Sequence, residues 1–234
     1  MKRICEPELM DDPLQARVYS EADFSIDDAA FTADVLALRA ETASSALEEK
    51  ILDLGCGPGN ISFRLAAALP AVPLLGLDGA AAMVELAEQR RQASPGRWPR
   101  LTFAQARLPL PAGGLRDLPA AFAPPYSLLV SNSFLHHLHD PAVLWQAVAR
   151  WGAPGALVMV RDLRRPESPE ALREQVERHA GNAPAVLRRD YAASLAAAFR
   201  PEEVEAQLAA AGLDGLRVSP RDDRYLDVSG RLPA

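Results

Sequence analysis

Cysteine is almost absent from this chain of 234 residues, which carries only Cys5 and Cys56. Two cysteines offer no disulfide framework and suit a reducing cytoplasm, the location expected here. Lysine is equally scarce, at positions 2 and 50, and no run of basic residues exceeds a pair. With a net charge of −6, the chain lacks the concentrated basic face that a nucleic-acid backbone demands, so no nucleic-acid partner is expected. Long hydrophobic runs are missing as well. The most apolar stretch, LAAALPAVPLLGL, is interrupted by prolines and too short to span a bilayer, so no membrane partner is expected either. MKRICEPELMDD has basic residues but no apolar segment behind them, and does not read as a signal peptide. There is no internal repeat and no low-complexity linker. What the chain does have is aliphatic bulk: 49% of its residues are hydrophobic, enough to bury a sizeable core as one compact unit.

That bulk is organised in alternation. KILDLGCG (50–57) is a short apolar run ending in glycines, and PGNISFRLAAAL (58–69) follows with helical spacing. PLLGLD (73–78) predicts a second strand, AAAMVELAEQRRQ a helix, and LTFAQ (101–105) a third strand. About twenty residues rich in proline and glycine then read as loop with a short helix. YSLLVSN (126–132), PAVLWQAVARW (141–151) and GALVMVRDL (155–163) continue as strand, helix, strand. The strands are continuously apolar, the pattern of a parallel sheet covered on both faces, so a doubly wound α/β fold is expected. Helices are expected over 167–181, 184–198 and PEEVEAQLAAAG, the last stopping at Gly212. LDGLRVSP and DRYLDVSG predict two closing strands that pair with each other, which makes seven. Residues 1–45 are expected to form an N-terminal helical cap or lid, and 46–234 the α/β domain.

The chemistry gathers at the turns. Asp53-Leu54-Gly55-Cys56-Gly57-Pro58-Gly59 joins the first strand to its helix, and its glycines permit a sharp turn and close approach of a ligand. Glycine spacing alone also fits a dinucleotide site. Here, however, the spacing is GxGxG and an acid precedes the first glycine. Asp78 ends the second strand, where a carboxylate can accept both hydroxyls of a ribose; this establishes a nucleoside without saying which one. FLHHLHDP (134–141) holds three of the four histidines. A metal site would need a third ligand and a suitable partner shell, and HHLH does not match a zinc spacing such as HExxH, so no metal is expected.

ILDLGCGPGNISFRLA, LLGLDGAAAMVELA and SLLVSNSFLHHL, taken together, resemble the class I S-adenosylmethionine-dependent methyltransferases over residues 48–163. The resemblance implies a mostly parallel, seven-stranded Rossmann-like sheet and S-adenosylmethionine as cofactor, with S-adenosylhomocysteine as product. It implies that the glycine loop (Gly55, Cys56, Gly57) faces the methionine portion, with Asp53 near its ammonium and Asp78 with Gly79 at the ribose. Met83, Asn132 and Tyr19 complete the implied cofactor set. Many members place an aspartate after the third strand, at the adenine; here stand Gln105, Ala106 and Arg107, so a backbone group or Gln105 is expected to serve instead.

The outer segments EPELMDDPLQARVYSEADFS, SNSFLHHLHDPAVLW, VRDLRRPES, RRDYAASLAAAFRPEEVEAQLAAAGL and DRYLDVSG resemble the methyltransferases of ovothiol biosynthesis, either stand-alone or as the C-terminal domain of a bifunctional enzyme. The implied reaction is methylation of the π nitrogen of 5-thiohistidine or of its selenium analogue. Presenting a lone pair on one ring nitrogen requires a partner for the other. Asn132, His136 and His137 are the expected catalytic residues, one of the two histidines facing the pocket and general-base work being one option. Phe24, Asn132, His137, Asp162, Arg164 and Tyr191 are expected to contact the acceptor, with Asp190 a further option. An arginine fork is expected for its carboxylate, drawn from Arg161, Arg164, Arg165, Arg188, Arg189 and Arg224. Two alternatives stand beside this reading: a class I methyltransferase for another metabolite, such as a quinone or heterocycle, and a cofactor-binding protein without catalysis. The small-molecule acceptor is the only partner expected, and oligomeric state is left open.

Overall fold

A computed structural model describes residues 1–41, 49–110, 114–115 and 118–233. Seven strands form one sheet: β1 (Ile51–Leu54), β2 (Leu74–Asp78), β3 (Leu101–Gln105), β4 (Tyr126–Asn132), β5 (Gly152–Leu163), β6 (Leu216–Pro220) and β7 (Tyr225–Arg231). Their order is β3-β2-β1-β4-β5-β7-β6, with β7 antiparallel to both neighbours and the other pairings parallel. The two closing strands do pair, and β7 also inserts beside β5, so that Leu163 stands opposite Tyr225. The chain runs outward from β1 to β3, then returns to place β4 on the other side of β1. The reversal between β1 and β4 opens a crevice at their carboxyl ends, the usual ligand position in such sheets.

Eight α-helices are described: α1 (Pro13–Glu21), α2 (Ser25–Glu41), α3 (Asn60–Ala68), α4 (Ala81–Gln92), α5 (Ala142–Trp151), α6 (Pro169–Ala180), α7 (Ala185–Ala197) and α8 (Pro201–Ala210). Side chains alternate across the sheet with the strand period of two. Leu52, Leu54, Leu129, Val158 and Val160 face α5 and α8, whereas Ile51, Leu74, Leu128, Val130 and Met159 face α2 and α3. On the first face Trp145 is fully buried and its Nε1 donates to Gln207 Oε1 at 2.9 Å, tying α5 to α8. Gly212 follows α8 with φ +68°, the left-handed stop expected of it.

Three expectations are adjusted. β1 ends at Leu54, because Gly55 turns the backbone to φ +70°. β5 begins at Gly152, where it meets Tyr126 before a register shift. The N-terminal region is helical, but α2 is not a cap in front of the sheet: Phe31 and Val35 are fully buried in the core that covers Ile51 and Met159. The expected boundary at 45/46 lies in 42–48, outside the described residues. What lies over the crevice is α1, packed by Ala16 against Ala80 and Met83, together with the extended segment 1–10. Arg3 fastens that segment by donating to the carbonyls of His136 at 3.0 Å and Leu138 at 2.9 Å, and Ile4 N donates to Ala196 O.

Candidate functional site

The crevice encloses about 950 Å³ of space free of protein atoms, open solvent at its mouth included. Its floor is the loop after β1. Gly55, Gly57 and Gly59 all take positive φ, and a Cβ on Gly57 would meet no atom within 4 Å, so the backbone here faces open space. Gly55 serves a different need. A Cβ there would lie 2.2 Å from Phe134 Cγ, because the segment after β4 packs directly on the glycine loop.

Asp78 is held at the end of β2. Its Oδ2 accepts from Gly57 N at 2.8 Å and its Oδ1 from Ala80 N at 2.8 Å, leaving each oxygen further lone pairs toward the cleft. Burial raises its pKa, and those backbone donors oppose the rise. Asp53 is deeper, at 1% exposure, and accepts from Ser62 Oγ at 2.6 Å. Burial pushes it up to about 7, opposed by Ser62 and assisted by the nearby carboxylates of Asp78 and Asp28. Asp28, also a cleft residue, is pushed up to about 6, chiefly by burial. A cleft lined by protonatable acids is prepared for a cationic ligand. Cys56 is buried against the loop and its thiol is pushed up by burial, the opposite of an activated thiolate.

Asn132, at the end of β4, lines the cleft and is followed by Ser133, a non-glycine residue at φ 55°. That conformation is uncommon outside glycine, and it turns the chain into a short 3₁₀ turn, Leu135–His137. Asp162, on β5, captures this turn: its Oδ2 accepts from Phe134 N at 2.8 Å and Leu135 N at 2.6 Å, and its Oδ1 pairs with His136 Nδ1 at 2.6 Å. His136 is thereby sealed beneath the loop at 2% exposure, and His137 faces the cleft. Burial would lower the pKa of His136, but the carboxylates of Asp162 and Glu6 outweigh it and the net shift is upward. His137 is pushed down to about 3 by burial and by the neighbouring His136, so it is neutral at physiological pH.

Among the expected cofactor residues, Tyr19, Asp53, Gly55, Cys56, Gly57, Asp78, Gly79, Met83, Ala106, Arg107 and Asn132 converge on this cleft. Gln105 does not: its amide donates to Gly79 O at 3.3 Å on the exposed side, and Ala106, Arg107 and Leu108 form the wall instead. Among the expected acceptor residues, Asn132 and His137 line the cleft and four others stand outside it. Phe24 packs against Tyr19, with ring centroids 4.9 Å apart, and opens onto a second, more open hollow. Asp162 is consumed in shaping the loop. Arg164 donates to Asp223 O, and Tyr191 packs with Leu163 and Leu195. His136, expected to be catalytic, is buried away from the cleft. Asp190 accepts from Gln15 on α1. Of the arginines, Arg161 is held by Asp227 and Asp34, and Arg165 by Glu203 and two carbonyls. Arg224 pairs with Asp27, but its buried Nε has no hydrogen-bond partner among the described residues.

Two acids of the extended N-terminal segment escaped sequence reasoning. Glu8 lines the cleft, accepts from His139 N at 3.0 Å and pairs with Arg107. Glu6 reaches further in. Its Oε1 lies 3.2 Å from His137 Nδ1 and 3.5 Å from His136 Nε2, and it accepts from Ser194 Oγ on α7. The signal for both was the EPE pattern ahead of α1, which carries no chemistry until the fold lays it across the loop after β4.

A seven-stranded sheet with one antiparallel strand, a glycine loop after β1 and an acid closing β2 is the class I methyltransferase architecture. Residues 52–158 match the family described as "Methyltransferase domain". A trans-aconitate 2-methyltransferase of Methylobacterium nodulans is 36% identical over 170 residues, 70% of this chain. The match spans 57% of that enzyme's own length. Among solved structures, the plantazolicin methyltransferase BpumL, with a desmethyl plantazolicin analogue and SAH, shares the fold at TM-score 0.68 and 13% identity, covering 95% of this chain and 92% of its own. A SAM-dependent methyltransferase from Aquifex aeolicus does so at TM-score 0.60 and 16% identity, covering 94% and 98%.

Proposed function

We propose that the protein is an S-adenosylmethionine-dependent methyltransferase whose acceptor is the imidazole π nitrogen of 5-thiohistidine or its selenium analogue. The cofactor half of the reading is supported by the fit of the cleft: open space over Gly57, a carboxylate held at Asp78 for a ribose, and Asp53 placed for a cation. Bound there, S-adenosylmethionine supplies an activated methyl group. The chain's own residues then have to align the acceptor, exclude water and manage charge.

The observation that carries the acceptor reading is the sign of the cleft. Its walls present Glu8, Asp28, Asp53 and Asp78 against one guanidinium, Arg107, which is already paired with Glu8. Methylating a neutral ring nitrogen creates an imidazolium until the proton on its other nitrogen departs, and facing carboxylates stabilise that cation. Asn132 can accept that N–H and hold the reacting tautomer, with the neutral His137 beside it. A tricarboxylate acceptor, such as the name of the Methylobacterium relative indicates for that enzyme, would meet net negative charge here. The outer segments that resemble the ovothiol enzymes also converge in space: Glu6 on Ser194, His139 on the Glu6 carbonyl, and Arg165 on Ala198 O.

Incubation with S-adenosylmethionine and, separately, 5-thiohistidine and trans-aconitate tests this directly. Mass spectrometry and NMR are expected to show a monomethylated 5-thiohistidine carrying its methyl on the π nitrogen. Methyl ester formation on trans-aconitate alone, or methylation on sulfur, would sink the acceptor assignment. Cofactor binding without turnover of any acceptor would favour a non-catalytic binding protein.

A further inference from the structure

The group formed by Glu6, His136 and His137 has no role in the chemistry above, and its geometry is specific. One ligand atom from each lies within 4.8 Å of the others. His136 Nδ1 is committed to Asp162 at 2.6 Å, and its Nε2 faces Glu6 Oε1 at 3.5 Å. His137 turns its own Nδ1 to the same carboxylate. That atom is buried, and although Glu6 Oε1 is 3.2 Å away, it makes no hydrogen bond among the described residues. Three groups able to ligate a metal therefore converge, and a divalent ion binding there would displace any proton they share. A tetrahedral zinc ion bound to nitrogen and oxygen at about 2.0–2.1 Å spaces its ligands roughly 3.3 Å apart. The two contacts to Glu6 bracket that spacing.

We propose that Glu6, His136 and His137 bind one divalent transition-metal ion of the zinc class at the wall of the cleft. Asp162 behind His136 completes a carboxylate–histidine–metal arrangement, which fixes the tautomer and strengthens the ligand. The donor set of two imidazoles and one carboxylate favours zinc, cobalt or nickel over magnesium or calcium. Because His137 lines the cleft, a remaining coordination position there is suited to an acceptor's thiolate or imidazole. That last role rests on the proposed acceptor; metal binding itself does not. The absence of a zinc spacing in HHLH does not count against the site, because the third ligand arrives from residue 6.

The test uses the untagged full-length chain, stripped of metal by chelation and titrated with Zn²⁺ by calorimetry and with Co²⁺ by visible absorption, without cofactor or acceptor. One ion per chain is expected, with the intense d–d bands of tetrahedral cobalt. Glu6→Gln and His137→Gln are expected to abolish those bands, and Asp162→Asn to weaken affinity by about 10–100-fold. His179→Gln, which alters a surface histidine paired with Asp223, is expected to bind as the wild type does. Circular dichroism identifies any variant that has unfolded, and thermal denaturation gives a second readout: added Zn²⁺ is expected to raise the Tm of the wild type but not of His137→Gln. No stoichiometric uptake by the wild type, or equal uptake by His137→Gln, would overturn the site and leave a proton shared among the three groups in its place.

Discussion

Asp53 and Asp78 are both cleft carboxylates, yet their surroundings divide their work. Asp78 is held by two backbone donors and keeps lone pairs for hydroxyls, so removing it costs charge-assisted hydrogen bonds. Asp78→Ala is expected to raise the Kd for S-adenosylmethionine roughly 10–100-fold, as a loss of about 1.5–3 kcal/mol requires; calorimetry checks this, and an unchanged Kd would refute the ribose assignment. Asp53 instead couples the site to pH. Its pKa is raised from 3.8 to about 7, so between those values the folded chain holds a proton that the unfolded chain has released. Stability of the ligand-free protein is therefore expected to fall as pH rises through that window. A cationic ligand favours the ionised form, so cofactor affinity is expected to increase with pH up to about 7 and then level. Asp28, raised to about 6, contributes an earlier part of the rise, and Ser62 and Asp78 are the other groups facing Asp53. In Asp53→Asn the later part is expected to disappear; a profile identical to wild type would mean that Asp53 does not titrate against the ligand.

At the scale of elements, the segment after β4 is organised from three directions. Asp162 on β5 captures its N–H groups, Arg3 captures its carbonyls, and the Phe134 ring rests on Gly55. Gly55→Ala sets a methyl group into that ring and onto a left-handed backbone, so it is expected to destabilise the fold by about 1–3 kcal/mol. Urea denaturation measures the loss, and weaker cofactor binding by the folded fraction is expected with it. A fully stable Gly55→Ala would show that the loop and Phe134 move apart easily. The glycine loop, the acid after β2 and Asn132 were legible in the sequence because each depends on its own strand end. Phe24, Asp162, Arg164 and Tyr191 were expected at the acceptor site from their place in the chain and their chemistry, and the fold directs them elsewhere. Glu6 and Glu8 were invisible because their partners lie 99 or more residues away in the chain.

For the whole molecule, stability rests on the two apolar layers that flank the sheet, and Trp145 is the largest fully buried side chain. It joins α5 to α8 through Gln207 as well as filling the layer over β4 and β5. Trp145→Ala is expected to cost about 3–5 kcal/mol, read as a fall in the urea midpoint with the cofactor site otherwise intact. A loss below 1 kcal/mol would mean that the layer repacks around the gap. Among the described residues no helix is long and apolar enough to cross a membrane.

The sequence by itself determined the alternation of strands and helices, the seven strands and the pairing of the last two. Those features follow from local periodicity, continuous burial and turn residues, all of which act within a few positions. It also determined that the glycines and acids at the ends of β1 and β2 line one cleft, since they belong to the same short stretches. Only the tertiary structure decided that α2 is core rather than lid, that His137 and not His136 faces the cleft, and that a glutamate from the N-terminal segment meets both histidines. Each of these depends on contacts between distant segments, whose free energy comes from packing and buried hydrogen bonds that no local pattern encodes.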